Sequence, residues 1–495
     1  KDFGLPMPAN TTNSDLTNSA EYTRETSYDQ TGLLQNIAQD EPRLNTDQKK
    51  VFTALLSTID NNEGKLFFLD APGGTGKTFL INLLLKKVRS TGKIALAVAS
   101  SGIAATLLEG GRTAHSTFKL PLKIATDDDN SVCSVSRQSN TGKLMRDCSL
   151  IVWDEATMSN KTSVEALDRT MRDLRNKNAP MGGCTILFSG DFRQILPVVT
   201  RGTRADEINA SLKRSHLWSH VNKLDLKTNM RVSSSSRENR LFPEMLLKVG
   251  NGELTQSEGR INLENLCVLI DNIQELVNNV YPDIDNISYK TISWFKERAI
   301  LSPTNEQVDK VNNLIISKID APTKIYYSVD TVLDLEEAVQ FPTEFLNSLN
   351  PSGLPPHKME LKIGCPVILL RNLSPPKLCN GTRLLVKSLK TFIIECTILT
   401  GCGTGEDVLI PRIPLIPSDL PFQFKRLQLP VKTSFAMTIN KSQGQTFNVA
   451  GLDLSVDCFS HGQLYVALSR VTSRENMFVL SNDKKAMNVV YKDIL

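Results

Sequence analysis

The run Leu66-Phe67-Phe68-Leu69 leads through Asp70 into Ala71-Pro72-Gly73-Gly74-Thr75-Gly76-Lys77-Thr78, and an apolar helix follows at once. A buried strand, a glycine-rich loop and a helix in direct succession restrict the fold more than any other feature of the chain. The strand must sit inside a sheet, and the helix must cover one of its faces. The glycines let backbone N–H groups turn inward on an anion, and the helix N-terminus adds its positive dipole end. Lys77 is then placed to reach the β and γ phosphates of a nucleotide, and Thr78 to offer a hydroxyl to Mg²⁺. Ala71 stands where the usual pattern begins with glycine, a departure that Gly73 and Gly74 compensate.

Further apolar runs repeat the alternation. Ile94 to Val98, Leu150-Ile151-Val152-Trp153 and Thr185-Ile186-Leu187-Phe188 read as strands, with Thr78 to Val88 as a helix. Ala299-Ile300-Leu301, Val431 to Ala436, Gly451 to Leu454 and Met477 to Leu480 read as strands of a second unit. Such alternation predicts parallel sheets covered on both faces. A chain of 495 residues suggests three or four folding units. The division expected is a mobile leader over 1–40, a first ATPase unit over 41–250, and the start of a second over 251–340. A small basic β insertion over 341–390 follows, then the rest of the second unit over 391–495.

Two strand ends carry further chemistry. Asp154-Glu155 closes an apolar strand, and strand ends are where open α/β sheets bind ligands. Alone the pair reads as a solvated loop; beside Lys77 it divides two jobs, Asp154 in the Mg²⁺ shell and Glu155 polarising the attacking water. Gln194, after Phe188-Ser189-Gly190-Asp191, reads about equally as a contact to the γ-phosphate or its water and as a surface glutamine before Pro197. Arg231 and Arg470 are candidates for the bidentate positive charge that hydrolysis needs.

Composition excludes several classes. Apolar residues are 40% and charged residues 22%, values of a globular chain. No apolar stretch approaches the roughly 20 residues that span a bilayer. The absent initiator Met points to a fragment, and the start shows no secretory pattern. Nine scattered cysteines without a Cys-x-x-Cys, and His216 and His220 without acidic or thiol companions, give neither a disulfide framework nor a zinc site. Between Asn10 and Ser27, eleven of eighteen residues are Ser, Thr or Asn, so order is expected to begin near Leu33. Phe341 to Lys390 is broken by prolines and holds seven Lys/Arg against two Glu, a net of +5, although the whole chain is only 57 − 53 = +4. Arg371, Lys377 and Arg383 of this segment are expected to grip nucleic-acid backbone.

The ordered motifs resemble the PIF-type family of superfamily-one DNA helicases. They are Leu44-Asn45-x-x-Gln48, the phosphate loop, Ala99-Ser100-Ser101-Gly102-Ile103-Ala104-Ala105, Thr113-Ala114-His115-Ser116, Trp153-Asp154-Glu155-Ala156, Gly190-Asp191-Phe192-Arg193-Gln194, Thr438-Ile439-Asn440-Lys441-Ser442-Gln443-Gly444 and Tyr465-Val466-Ala467-Leu468-Ser469-Arg470. The Phe3-Gly4-Leu5-Pro6 leader, Leu370-Arg371-Asn372-Leu373 and Cys379-Asn380-Gly381-Thr382-Arg383 look most like the helicase portion of Helitron rolling-circle transposases.

This resemblance implies an α/β protein of two RecA-like P-loop domains with parallel sheets, a small β barrel inserted in the second half, ATP with Mg²⁺ between the domains, and 5′→3′ translocation on single-stranded DNA. It implies Gln48 at the adenine, and Ser101, Gly102, His115, Phe118 and the turn Lys441, Ser442, Gln443 and Gly444 at the DNA. It also implies single-strand/double-strand junctions as partners, roles in recombination, repair or telomere maintenance, a nuclear or mitochondrial setting, no membrane, and, for a Helitron, an upstream replication-initiator nuclease that this chain lacks. An ATP-gated binding module or transposon remnant without unwinding, and an RNA helicase, are the rival readings; phosphate contacts alone do not separate the two polymers.

Overall fold

The structure, a computed structural model, describes residues 22–495 apart from 122–130, 200–201, 231–236, 255–256, 334–340, 352, 418–419 and 421. The first unit holds six parallel strands: β1 Leu66–Asp70, β2 Ile94–Ala99, β3 Arg112–Thr113, β4 Cys148–Asp154, β5 Thr185–Gly190 and β6 Val221–Asp225, in the order β3-β2-β4-β5-β1-β6. Alternate residues serve opposite faces of this sheet. Leu66 and Phe68 pack with Trp153, Phe188 and Met171, while Phe67 and Leu69 pack with Phe52, Leu55, Leu80 and Leu84. The helix Thr46–Asp60 that supplies Phe52 and Leu55 opens on a capping box, in which Asn45 and Gln48 satisfy each other's backbone N–H groups.

A second parallel sheet has the order Ala436–Thr438, Arg298–Ser302, Val449–Asp453, Met477–Leu480 and Val268–Ile270. The expected strand from Val431 to Ala436 divides here. Val431–Thr433 pairs with Pro366–Leu369 in an antiparallel sheet, and Ala436–Thr438 starts the parallel one. The helix Arg237–Asn251, counted above with the first unit, packs instead on the second, where Phe242, Leu246 and Val249 join Leu464, Tyr465 and Leu468.

The expected β insertion appears as three antiparallel sheets of five, three and two strands, and its pairing continues beyond Lys390. Ile393–Ile398, Asp407–Pro411 and Phe424–Gln428 all belong to it. Its pairing also begins before the prolines, at Lys324–Tyr327 and Val329–Val332, because strand pairing rather than composition sets both boundaries.

The leader is corrected in the same way. Residues 1–21, including Phe3 to Pro6, lie outside the described residues, but a helical turn over 22–26 and the helix Gln30–Asp40 precede and include Leu33. Buried Glu25 faces the guanidinium groups of Arg89 at 3.7 Å and Arg112 at 3.6 Å, and Arg89 lies over the Tyr28 ring. Burial pushes the Tyr28 phenol up to about 12, so it stays protonated and donates to Glu25. These partners are 60 or more positions away in sequence, so Ser/Thr/Asn content conceals them.

One buried ion pair ties the β region together. Arg426 and Asp330 are both fully buried, 2.7 Å apart, and Arg426 also donates to the carbonyls of Leu346, Leu349 and Pro355. Removing one partner of such a pair strands a buried charge. Asp330→Ala is expected to lower the local stability by about 3–5 kcal/mol, read as faster amide exchange in Phe424–Gln428; unchanged exchange there refutes the assignment.

Candidate nucleotide and nucleic-acid sites

At the C-terminal edge of the first sheet, β1 ends and the glycine-rich loop begins. Gly76 has φ +78°, and a Cβ there would stand 2.5 Å from Gln48 Nε2, so only glycine fits. Gly74 also has positive φ, and a Cβ on Gly73 would meet nothing within 4 Å, which leaves the loop open to the cleft. Gln48 is buried, accepts from Asn45 N and donates to Thr75 O at 2.9 Å. Its amide braces the loop rather than facing outward to a base. Met230 N donates to Gly74 O and Asn229 Nδ2 to Gly73 O, so the segment before Arg231 lies along the loop. Arg231 itself is outside the described residues.

Strands β4 and β5 bring the carboxylates to this loop. Lys77 Nζ lies 2.7 Å from Asp154 Oδ1 and 2.9 Å from Glu155 Oε1. Burial alone would hold the Lys77 ammonium down, but the charges of Asp154 and Glu155 outweigh it and raise its pKa. Asp154 Oδ1 also accepts from Ser189 Oγ and from Glu155 N. Glu155 lies in the left-handed region, φ +51°, and this turn keeps its carboxylate at the sheet edge, where it meets Lys77 alongside Asp154. Its Oε2 is buried and has no hydrogen-bond partner among the described residues.

The second unit closes the other side. A cleft of about 360 Å³ is lined by Lys77, Thr78, Asp154 and Glu155 from one half and by Gly444 and Arg470 from the other. Arg470 is buried, and its guanidinium donates to the carbonyls of Val466, Ser442 and Gln445 and to Ser469 Oγ. Gln194 is buried with its Oε1 3.5 Å from Gln443 Nε2. The turn Lys441 to Gly444 is therefore shared between two surfaces. Gly444 borders the nucleotide cleft, Ser442 is buried, Gln443 touches Gln194, and Lys441 faces a groove of about 850 Å³ that also takes in Asn312, Asn380, Lys432 and Asn440.

Several expected nucleic-acid contacts are corrected. Phe118 is fully buried, with its ring 6.0 Å from that of Trp153, because the helix Ala114–Phe118 turns its last residue into the core. His115 on the same helix is exposed. Ser101 caps the helix Gly102–Thr106, and Gly102 is covered, since a Cβ there would lie 2.1 Å from Asn380 O. Arg383 is fully buried, donates to Arg298 O and lies 5.7 Å from the Phe447 ring, where burial lowers its pKa. Arg371 donates to its neighbour Leu370 O.

Part of the net +5 is offset by three acids beyond the segment. Lys377 pairs with Glu406, Lys387 with Asp407 and Glu395, and Lys358 with Glu360, while Lys362 is buried on Ile319 O. Sequence reading also passed over Lys432 and Asn312, which share the groove with Lys441 through antiparallel pairing and helix packing rather than through any motif.

The sequence profile of the PIF1-like helicase family matches residues 43–260, and that of the DNA helicase Pif1 2B domain matches residues 344–389. The chain is 26% identical to the ATP-dependent DNA helicase PIF6 of Trypanosoma brucei brucei over 462 residues, which is 89% of this chain and 54% of that protein. It is 26% identical to the ATP-dependent DNA helicase Pif1 of Bdellovibrio bacteriovorus, covering 86% of each. The chain thus spans about half the length of the trypanosome relative and most of the bacterial one. Among solved structures, the Pif1 helicase from Candida albicans superposes with a TM-score of 0.67 at 23% identity, covering 91% of this chain and 97% of that one. The Bacteroides Pif1 helicase in complex with ADP-AlF3 and ssDNA superposes with a TM-score of 0.65 at 22% identity, covering 91% and 94%. The two profiles fall on the half that carries the phosphate loop and on part of the β insertion, and over those regions the chain is similar to the PIF1-like helicase family.

Proposed function

We propose that the chain is an ATP-dependent DNA helicase that couples Mg-ATP hydrolysis to 5′→3′ translocation on single-stranded DNA and to unwinding at junctions. The observation that carries this reading is the shared cleft, with the phosphate loop on one half and Arg470 on the other, joined through Gln194 and Gln443 to the groove at Lys441. Thr78 and Asp154 would hold Mg²⁺, which supplies positive charge to the phosphate oxygens; the open face at Gly73 and the unpartnered Glu155 Oε2 fit such an occupant. When the nucleotide binds, Lys77 exchanges its carboxylates for phosphate oxygens, which frees Glu155 to accept a proton from water. Arg470 adds a planar positive charge only when the halves are closed, so turnover and domain movement are tied together. The relatives named as DNA helicases, and the Bacteroides structure whose title names ADP-AlF3 and ssDNA, support the choice of ligands.

The narrower likeness to Helitron helicases rests on Leu370 to Leu373 and Cys379 to Arg383. An in-frame replication-initiator nuclease encoded upstream supports it; its absence from the gene refutes it. Recombination, repair and telomere maintenance stand as proposed settings in the same way.

ATP hydrolysis measured with single-stranded DNA, with RNA and with neither tests the central reading. Stimulation by DNA well above RNA is expected, and none by either overturns it. Glu155→Gln should lose hydrolysis by at least 10²-fold while binding a fluorescent ATP analogue nearly as well as the parent, as befits a general base. Parental turnover in that variant removes Glu155 from the role.

Arg470→Lys should reduce turnover although charge is kept, because a compact ammonium cannot reproduce the planar fork. Hydrolysis at the parent rate would show that Arg470 does not act on the phosphates.

Because Lys377 is paired with Glu406 and Lys387 with Asp407 and Glu395, Lys377→Gln with Lys387→Gln should leave the salt dependence of oligonucleotide binding unchanged. Lys441→Gln should instead flatten the logarithmic slope by about 0.7, the value for one single-strand phosphate contact. Equal slopes in the parent and Lys441→Gln remove that contact.

A further inference from the structure

The loop that carries Gln194 and the helix that leads to Arg470 come from different halves of the molecule, yet they are hydrogen-bonded to each other away from the cleft. Tyr465, on the helix Gln463–Leu468, donates its hydroxyl to Asp191 Oδ2 at 2.8 Å. Asp191 is fully buried, and its other oxygen accepts from Arg193 N at 3.0 Å and from the Arg193 guanidinium at 2.9 Å. Arg193 continues the chain of contacts to Asn251 Oδ1 at 2.8 Å and to Asp70 at 3.5 Å, where β1 enters the phosphate loop. Burial, and then the Asp191 charge, hold the Tyr465 phenol protonated, so it stays a donor at neutral pH.

Four residues earlier a second bond does the same. Buried His461 accepts from Tyr491 N at Nδ1, and a backbone N–H can only donate, so the ring proton sits on Nε2 and is donated to Phe192 O at 2.8 Å. Between them Gly462 has φ +72°, and a Cβ there would stand 2.3 Å from Arg193 O, which leaves no slack between helix and loop. The helix Arg237–Asn251 closes over the pair, for a Cβ on its Gly250 would lie 3.0 Å from the Tyr465 ring and 3.1 Å from Arg193 Cβ.

We propose that Tyr465 and His461 are positioning residues, a latch that holds the Arg470 helix on the Gln194 loop so that both groups enter the nucleotide cleft as one body. The inference rests on the helicase reading above for what the cleft does, but not for the latch itself. Tyr465 and Arg470 are linked by the short helix between them, since Ser469 N bonds to Tyr465 O and Arg470 N to Ala467 O. Gln194 N bonds to Asp191 O, so the carboxylate that receives Tyr465 sits in the same turn as Gln194. Neither latch residue needs to touch the nucleotide. Loss of the phenol hydroxyl leaves the ring packed but strands one buried oxygen of Asp191, so the melting temperature is measured beside the rate to separate positioning from bulk stability.

The test uses the full chain. Tyr465→Phe is expected to lower the maximal rate of DNA-stimulated ATP hydrolysis at least tenfold with the KM for ATP within twofold, and to do so at temperatures well below its melting temperature. Adding Tyr465→Phe to Asp191→Ala should cost little more, because both remove one bond. Parental kcat in Tyr465→Phe, or equal losses in the presence and absence of Asp191, overturns the latch. His461→Phe should lose rate, and His461→Gln, which keeps a donor and an acceptor, should recover part of it; identical rates in the two refute His461 as a positioning residue and also serve if Tyr465→Phe does not fold. Amide exchange in the nucleotide-free chain gives a readout that needs no hydrolysis. Residues 191–195 and 463–470 should exchange faster together in Tyr465→Phe, and unchanged exchange at 191–195 refutes the latch. A parent without DNA-stimulated hydrolysis sinks the helicase reading, and the latch is then decided by exchange alone.

Discussion

A lysine clasped between two carboxylates at the C-terminal edge of a parallel sheet is the contact on which the rest of the site depends. Lys77 meets Asp154 and Glu155 only because β1 and β4 run parallel on either side of β5, which brings all three strand ends to one edge. That edge collects the ends of strands far apart in sequence and surrounds them with loops free to bind. The same arrangement explains the left-handed Glu155. Two adjacent carboxylates on a regular strand would point to opposite faces, one of them into the core; the turn at Glu155 keeps both at the edge.

The second half does more than cover this edge. Its Lys441 to Gly444 turn carries one residue toward the nucleotide cleft, one to Gln194 and one into the groove, over a span of four residues. The path from the cleft to the groove is thus only a few contacts long, through the Gln194–Gln443 side chains and the backbone of the turn. Packed interfaces of this kind shift between discrete arrangements rather than deforming smoothly, which suits stepwise movement along a polymer. The C-terminal residues add to the connection. Tyr491 and Ile494 are buried in the core of the first unit, and Arg204 pairs with Asp493.

Charge behaves less simply than composition suggests. Two of the seven cations between Phe341 and Lys390, Lys377 and Lys387, meet acids that follow the segment, because the antiparallel strands fold back on one another, and Lys362 and Arg383 are buried on backbone carbonyls. A count over a stretch of sequence measures the sum of its charges, but a phosphate senses what remains after pairing. In the groove at Lys441, Lys432 pairs with Asp309 and Lys358 with Glu360, and the lining is rich in amides, which can hold a strand without reading its sequence.

The phosphate loop, the Asp154-Glu155 strand end and the α/β alternation were legible in the sequence because each is local. Glycines that need positive φ, apolar runs of strand length and a capping box at Asn45 all depend on residues a few positions apart. Sequence also named Arg470 as a candidate for the charge that hydrolysis needs, and the structure brings it to the cleft just past the helix Gln463–Leu468. What only the tertiary structure decided is set by partners distant along the chain. Phe118 looks like a stacking platform until Trp153 covers it, and Arg383 like a phosphate contact until it is seen beneath Arg298 and Phe447. The leader looks unstructured until Glu25 finds Arg89 and Arg112, and Tyr465 like a core aromatic until Asp191 meets its hydroxyl. Burial and pairing are properties of the packed interior, and a linear sequence states which groups are available but not which neighbours exclude water from them.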